Sequence, residues 1–233
     1  LGEEYLLIEN LFQNKLKKYL YDIALKEITP LKESTSEKYI NIGRLPGDKL
    51  KLAALSDQNI LYAIDASSQN EQEIIAKDVS NFKIFGTMMI YTTTAPVIVY
   101  EKDLSSGKTQ QLIKSPISNI GITSVLLRSK DGNRAIIDNK HILYLYNNET
   151  ESFDIISPDI INAEFSPDGK KIMYQNAKEI FIYYLKDIRI QPYKNRGYIE
   201  FITRFSKSIT HSEWFAYDNE HIIFAVDKLI KFT

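Results

Sequence analysis

Phe165-Ser166-Pro167-Asp168-Gly169-Lys170-Lys171-Ile172-Met173-Tyr174 reads as the end of one β-strand, a tight turn and the start of the next. Proline presets φ for a turn, and glycine accepts the φ > 0 corner that residues with a Cβ avoid. Residues 176–179 turn the chain again, and Ile180-Phe181-Ile182-Tyr183-Tyr184 supplies a third strand. The rest of the chain reads as weaker copies of this unit.

The third strand, where aromatic and β-branched residues alternate, gives the repeat its period. It starts near Tyr19, Ile60, Val97, His141, Ile180 and Leu229, at steps of 41, 37, 44, 39 and 49 residues. Each step is about the length of one four-stranded propeller blade. The turn before the second strand recurs as Ser129-Lys130-Asp131-Gly132, as Leu45-Pro46-Gly47-Asp48 and, degenerately, as Tyr217-Asp218-Asn219. The third unit, Phe85-Gly86-Thr87-Met88-Met89-Ile90, lacks it. Fourth strands follow polar turns, at Gln111-Leu112-Ile113, Phe153-Asp154-Ile155 and Glu27 to Leu31.

The stretch 165–174, with its Ile-x-Ile-Tyr strand and the Gly-Lys turn elsewhere, resembles the WD40-like (TolB-type, PD40) β-propeller repeat. The expected fold is all-β: one propeller domain over residues 1–233, with about six four-stranded blade units and roughly 22 strands. By register the first unit lacks its inner strand and the last stops within its third, so the terminal blades are incomplete or belong to a longer ring. An amphipathic reading of residues 11–25 gives a mixed face, and Tyr19-Leu20-Tyr21 prefers strand. Residues 34–38 and 66–72 read as polar loops, and no linker rich in Pro, Gly or Ser divides the chain.

Composition excludes several classes. There are 233 residues, 44% hydrophobic and 25% charged, enough for a sizeable core without staples. The net charge of −1 gives no global field for nucleic acid or an anionic membrane. Cysteine is absent, which removes disulfides, thiol catalysis and cysteine metal sites. No apolar run reaches the length of a membrane span. The chain opens at Leu1, which reads as a mature or trimmed form.

Motifs for chemistry are weak. Gly107-Lys108-Thr109 ends like a phosphate-binding loop, but Lys102 stands where its first glycine belongs, so a hairpin turn is the reading. His141, His211 and His221 lie outside zinc-ligand spacing and fit blade rims; His141 is expected to begin a strand. No Gly-x-Ser-x-Gly elbow exists. Glu3-Glu4, Glu71/Glu73 and Glu149/Glu151 read as solvated charges in turns and ends. The expectation is no metal, no cofactor and no enzymatic activity.

Two features remain as candidates for binding. The longest step between third strands contains the insertion 186–198, in which Arg189, Lys194 and Arg196 stand beside Tyr193 and Tyr198. Cations interleaved with aromatics suit an interface or an acidic polymer or sugar. An extended hairpin whose charges keep a loop soluble and guard an edge accounts for the same residues. Trp214, beside Phe215 at the end of a first strand, packs between blades or offers a stacking platform. Tyr62, Tyr91, Tyr144, Tyr174 and Tyr183 suit half-buried strand positions.

The favoured function is a non-catalytic propeller presenting loops to a protein partner. The TolB-type resemblance implies a place in the cell envelope or outside the cell. The alternatives are a carbohydrate- or cell-wall-binding module and a propeller enzyme or its gating domain.

Overall fold

The computed structural model describes residues 5–12, 15–22, 26–31, 39–47, 51–65, 72–117, 124–215, 218–227 and 229–232. Glu3, Glu4, Glu71 and Tyr217, and the expected loops 34–38 and 66–72 apart from Gln72, which begins a strand, lie outside them. The described residues form twenty-two strands and no helix.

The strands make six sheets, each built of consecutive strands. The first holds β1 (Tyr5–Phe12), β2 (Lys15–Asp22) and β3 (Glu27–Leu31). The second holds β4 (Tyr39–Arg44), β5 (Lys51–Ser56), β6 (Leu61–Asp65) and β7 (Gln72–Ala76). The third holds β8 (Val79–Phe85), β9 (Met88–Thr93), β10 (Val99–Asp103) and β11 (Thr109–Gln111). The fourth holds β12 (Val125–Arg128), β13 (Arg134–Ile137), β14 (Leu143–Asn147) and β15 (Ser152–Ser157). The fifth holds β16 (Asn162–Phe165), β17 (Lys171–Gln175), β18 (Glu179–Tyr184) and β19 (Ile199–Arg204). The sixth holds β20 (Ile209–Trp214), β21 (Ile222–Val226) and β22 (Leu229–Phe232). This is the six-unit order expected from the spacing, three-stranded at both ends. Of the stretch 11–25, residues 11–12 and 15–22 lie in the antiparallel hairpin of β1 on β2, and residues 13–14 and 23–25 lie outside the described residues.

The chain forms two compact units: Leu1–Ala95 with Lys102–Thr109, and Pro96–Glu101 with Gln110–Thr233. In the first unit Tyr39, Leu52, Ala54, Tyr62 and Ile64 form a buried cluster in the second sheet. Gly43 on β4 meets β8 so closely that a Cβ there would stand 3.1 Å from the Phe82 ring and 3.2 Å from Ile84 Cδ1. Asn41 donates its side-chain amide to the Phe82 carbonyl across the same seam.

In the second unit alternation does the work. Every residue of β17 is buried, so that strand is covered on both faces. Ile172 and Tyr174 pack towards the fourth sheet, with Leu127, Ala135, Ile137, Leu143 and Phe165. Met173 points the other way, with Ile182, Trp214, Ile222 and Phe224. Each Leu, Ile, Met or Phe side chain among these contributes roughly 1.5–3 kcal/mol by leaving water.

The turns explain the strand boundaries. Gly169 N–H donates to Ser166 O at 2.8 Å with Gly169 at φ 68°, and Lys171 N–H donates to Ser166 Oγ at 3.0 Å. The counterpart turn is one residue shorter, with Gly132 N–H on Ser129 O at φ 84° and Asn133 N–H on Ser129 Oγ at 2.9 Å. The third unit, which lacks Pro-Asp-Gly, makes a tight turn through Gly86 at φ 60°. Two expectations shift. Leu112 and Ile113 lie just beyond β11, both buried, with Leu112 N–H on Val99 O. His141 does not begin β14; it closes the Asp138 turn at φ 62°, where its N–H donates to Asp138 O.

Candidate partner-binding surface

The insertion 186–198 joins β18 to β19. It folds back on itself as a small hairpin, with Ile188 and Lys194 exchanging both backbone hydrogen bonds at 2.8 and 3.2 Å. Its return is fixed at Gly197, at φ 85°, whose N–H donates to Tyr184 O. The Arg196 N–H donates to Asp187 Oδ1 at 2.8 Å across the hairpin.

Of the cations expected at the surface, Lys194 is not free. Its side chain is 16% exposed, its Nζ lies 2.9 Å from Glu200 Oε1, and it stands 4.6 Å from the Tyr198 ring centroid. Tyr184 donates its hydroxyl to the other oxygen of Glu200 at 2.6 Å. Burial pushes the Glu200 carboxyl up, but the hydrogen bonds from Tyr184 and Lys194 outweigh it and hold the carboxyl below its ordinary value. Burial, then the bond to Glu200, raises the Tyr184 hydroxyl, so it stays a donor. Glu200 therefore pins the base of the insertion from β19, a role that nothing in its sequence neighbourhood announced.

Arg189, Tyr193 and Arg196 are exposed, as expected. Tyr193 is 67% exposed and its neighbour Ile190 80%. Among the described residues Arg189 and Tyr193 make no polar contact, and Arg196 reaches Glu149 only at 4.0 Å.

Trp214 is elsewhere. It is 4% exposed, in the core between the fifth and sixth sheets, and its Nε1–H donates to Glu164 O at 3.0 Å. Lys171 Nζ lies 5.6 Å from its ring centroid and 2.8 Å from Glu220 Oε2. Of the two readings of this ring, packing between blades and a stacking platform, the structure gives interior packing. A β20 residue whose side chain points towards the Met173 face of β17 has no route to solvent.

A second polar cluster joins strands that sequence reasoning did not connect. Glu101 on β10, 5% exposed in its side chain, takes Arg128 Nε on Oε1 at 2.8 Å and pairs with Arg134 through both oxygens. Arg134 also stands over the Tyr146 ring, and Tyr146 donates its hydroxyl to Leu112 O. At the other end of the fifth sheet, Asp159, Ile161, Asn176, Lys178, Glu179 and Arg204 line an open cleft of about 510 Å³. There Asn176 and Arg204 hydrogen-bond Glu179 and hold its carboxyl below the ordinary value. His211 and His221 are exposed and face Glu213 and Asp218. Among the described residues no three His, Asp or Glu side chains are placed to share a cation, and no helix is long and apolar enough to cross a membrane.

Consecutive-strand sheets repeating at this spacing are the blades of a β-propeller, and comparison with solved structures gives the same fold. The chain is similar to TolB from Acinetobacter baumannii, with a TM-score of 0.51 and 17% identity over 94% of this chain and 56% of that one. It is similar to a chain in the structure of the mitotic checkpoint complex, with a TM-score of 0.61 and 11% identity over 95% and 66%. It is also similar to a chain of YCF48 bound to D1 peptide, with a TM-score of 0.57 and 14% identity over 91% and 70%. The chain thus spans 56% of the TolB chain's length. No protein-family model matches it, and a search of curated proteins finds no relative.

Proposed function

We propose that residues 1–233 act as one non-catalytic propeller domain that presents the 186–198 hairpin to a protein partner. The observation that carries this reading is the contrast between the hairpin's base and its tip. The base is fixed by Glu200, Gly197 and the Ile188–Lys194 pair. The tip leaves Arg189, Ile190 and Tyr193 in solvent, and Arg196 is exposed beside Gly197 at the base. Exposed aromatic and arginine side chains on a pre-ordered loop suit an interface, because little ordering entropy remains to be lost on binding. Two similar structures, the checkpoint complex and YCF48 with a D1 peptide, were solved with partners, which supports the fold as a platform for binding. The resemblance of residues 165–174 to the TolB-type repeat supports a location outside the cytoplasm. With Trp214 in the core, the carbohydrate-binding alternative lacks its principal ring.

The test is affinity capture with the whole chain as bait, read by quantitative mass spectrometry. Replacing Arg189, Tyr193 and Arg196 together with alanine is expected to lower recovery of a captured protein about tenfold, with the melting temperature unchanged. Equal recovery by both baits would end the proposal.

A further inference from the structure

Resting on the reading of the hairpin as a partner surface, we infer that the segment it takes is an acidic stretch of protein with an apolar anchor. The argument is a census of charge. Residues 186–198 carry four cations and one carboxylate. Lys186 is held by Asp131 at 3.0 Å and Lys194 by Glu200 at 2.9 Å. The one carboxylate, Asp187, accepts the Arg196 backbone N–H. The remaining charges are guanidiniums: Arg189, with no partner among the described residues, and Arg196, whose 4.0 Å approach to Glu149 joins two side chains 66% and 82% exposed. A pair that open to water contributes little and yields readily to a better one.

The neighbouring turn adds to the excess. Lys186 binds Asp131, so the base of the hairpin lies against the Ser129–Gly132 turn. Lys130, exposed on that turn, has no partner among the described residues. Nearby carboxylates are mostly engaged: Asp168 by Ser166 Oγ and Lys170, and Glu101, on β10 of the third sheet, by two arginines of the fourth. Unengaged cations facing solvent beside engaged acids define a surface complementary to carboxylates.

Ile190 and Tyr193 lie between the two arginines in sequence and are the most exposed apolar groups of the hairpin. They would take an apolar side chain of the same partner segment. The whole chain's charge of −1 supplies no long-range attraction for a polyanion, so recognition rests on short, paired contacts.

The probe is a fluorescent peptide of four Glu-Glu-Leu repeats, titrated against the full chain by anisotropy. Its isostere of Gln-Gln-Leu repeats, a Lys-Lys-Leu peptide and an oligothymidylate run in parallel. The acidic peptide is expected to bind about tenfold or more tightly than the glutamine isostere, and several-fold less tightly when salt shortens the screening length. The variant Lys130→Glu, Arg189→Glu, Arg196→Glu, with unchanged melting temperature, is expected to lose the acidic peptide and gain the basic one. Equal binding of the Glu and Gln peptides, or none of either, overturns the inference. So does oligothymidylate binding as tightly as the acidic peptide. If the alanine triple variant still loses its captured partner while the acidic peptide does not bind, the partner surface stands and its acid preference falls. If that variant keeps its partner, both fall.

Discussion

The side-chain amide of Asn133 donates to the carbonyl oxygen of Gly169 at 3.0 Å, tying the first turn of the fourth sheet to the first turn of the fifth. The two glycines of these turns stand in different surroundings. A Cβ on Gly169 would meet Asp131 Cβ and Cγ at 3.2 Å, whereas one on Gly132 would meet nothing nearer than Arg128 Nη2 at 3.7 Å.

Gly169→Val is therefore expected to cost about 2 kcal/mol, from left-handed backbone strain and crowding against Asp131 together. Gly132→Ala, with strain alone, is expected to cost about 1 kcal/mol. Urea unfolding of the two variants checks the order. Equal stability of wild type and Gly169→Val would mean that the turn rearranges freely.

Glu101 makes a second prediction, in which the order of three variants is the content. Removing Glu101 leaves two guanidiniums facing a neutral group, whereas removing Arg128 leaves the Glu101–Arg134 pair intact. Glu101→Gln is expected to cost about 3 kcal/mol, Arg134→Gln less, and Arg128→Gln least, measured by chemical denaturation. Arg128→Gln as the most damaging of the three would contradict the assignment.

The same carboxylate sets a pH dependence. Burial pushes Glu101 up, but hydrogen bonds from Arg134 and Arg128, and their charge, hold it below its ordinary value of 4.5. A carboxyl depressed in the folded state contributes stability that is fully present above 4.5 and is lost as pH falls through the folded value. Thermal melts below that pH should show the wild type losing more stability than Glu101→Gln does. Parallel pH profiles for the two proteins would reject Glu101 as the source.

Trypsin tests the base of the hairpin. Lys186, Arg189, Lys194 and Arg196 are its natural cleavage points there. Glu200→Ala removes the acceptor for both Tyr184 and Lys194. It is expected to speed cleavage within 186–198 several-fold by local opening, with a small change in melting temperature. Unchanged cleavage would show that the backbone pairing of Ile188 with Lys194 suffices without it.

The fold was legible because its period is written in local chemistry. The expected third-strand starts at Tyr19, Ile60, Val97, His141, Ile180 and Leu229 fall within, or one or two residues short of, β2, β6, β10, β14, β18 and β22. Alternating aromatic and β-branched residues announce a pleated, half-buried strand without reference to distant partners. Ser166 to Gly169 was legible for the same reason, since each turn residue acts on its own backbone. The state of the side chains was not. Lys194 and Arg196 look alike in sequence, and only the fold-back that brings Glu200 beside Lys194 separates an engaged cation from a free one. Glu101 meets its arginines 27 and 33 residues away, a pairing that no spacing encodes. Trp214 had two readings because β20 ends at a turn, and only the packing of its ring beside Met173 decides between them.

That burial has an optical consequence. Trp214 is the only tryptophan in the chain, and it stands at the seam of the fifth and sixth sheets with the Lys171 ammonium 5.6 Å from its ring. Excited selectively, the protein emits from that one seam. Water entering there would shift the emission to longer wavelength while strand content, read by circular dichroism, stayed whole. The separation of these two sheets can thus be followed as its own event, distinct from unfolding of the rest of the chain.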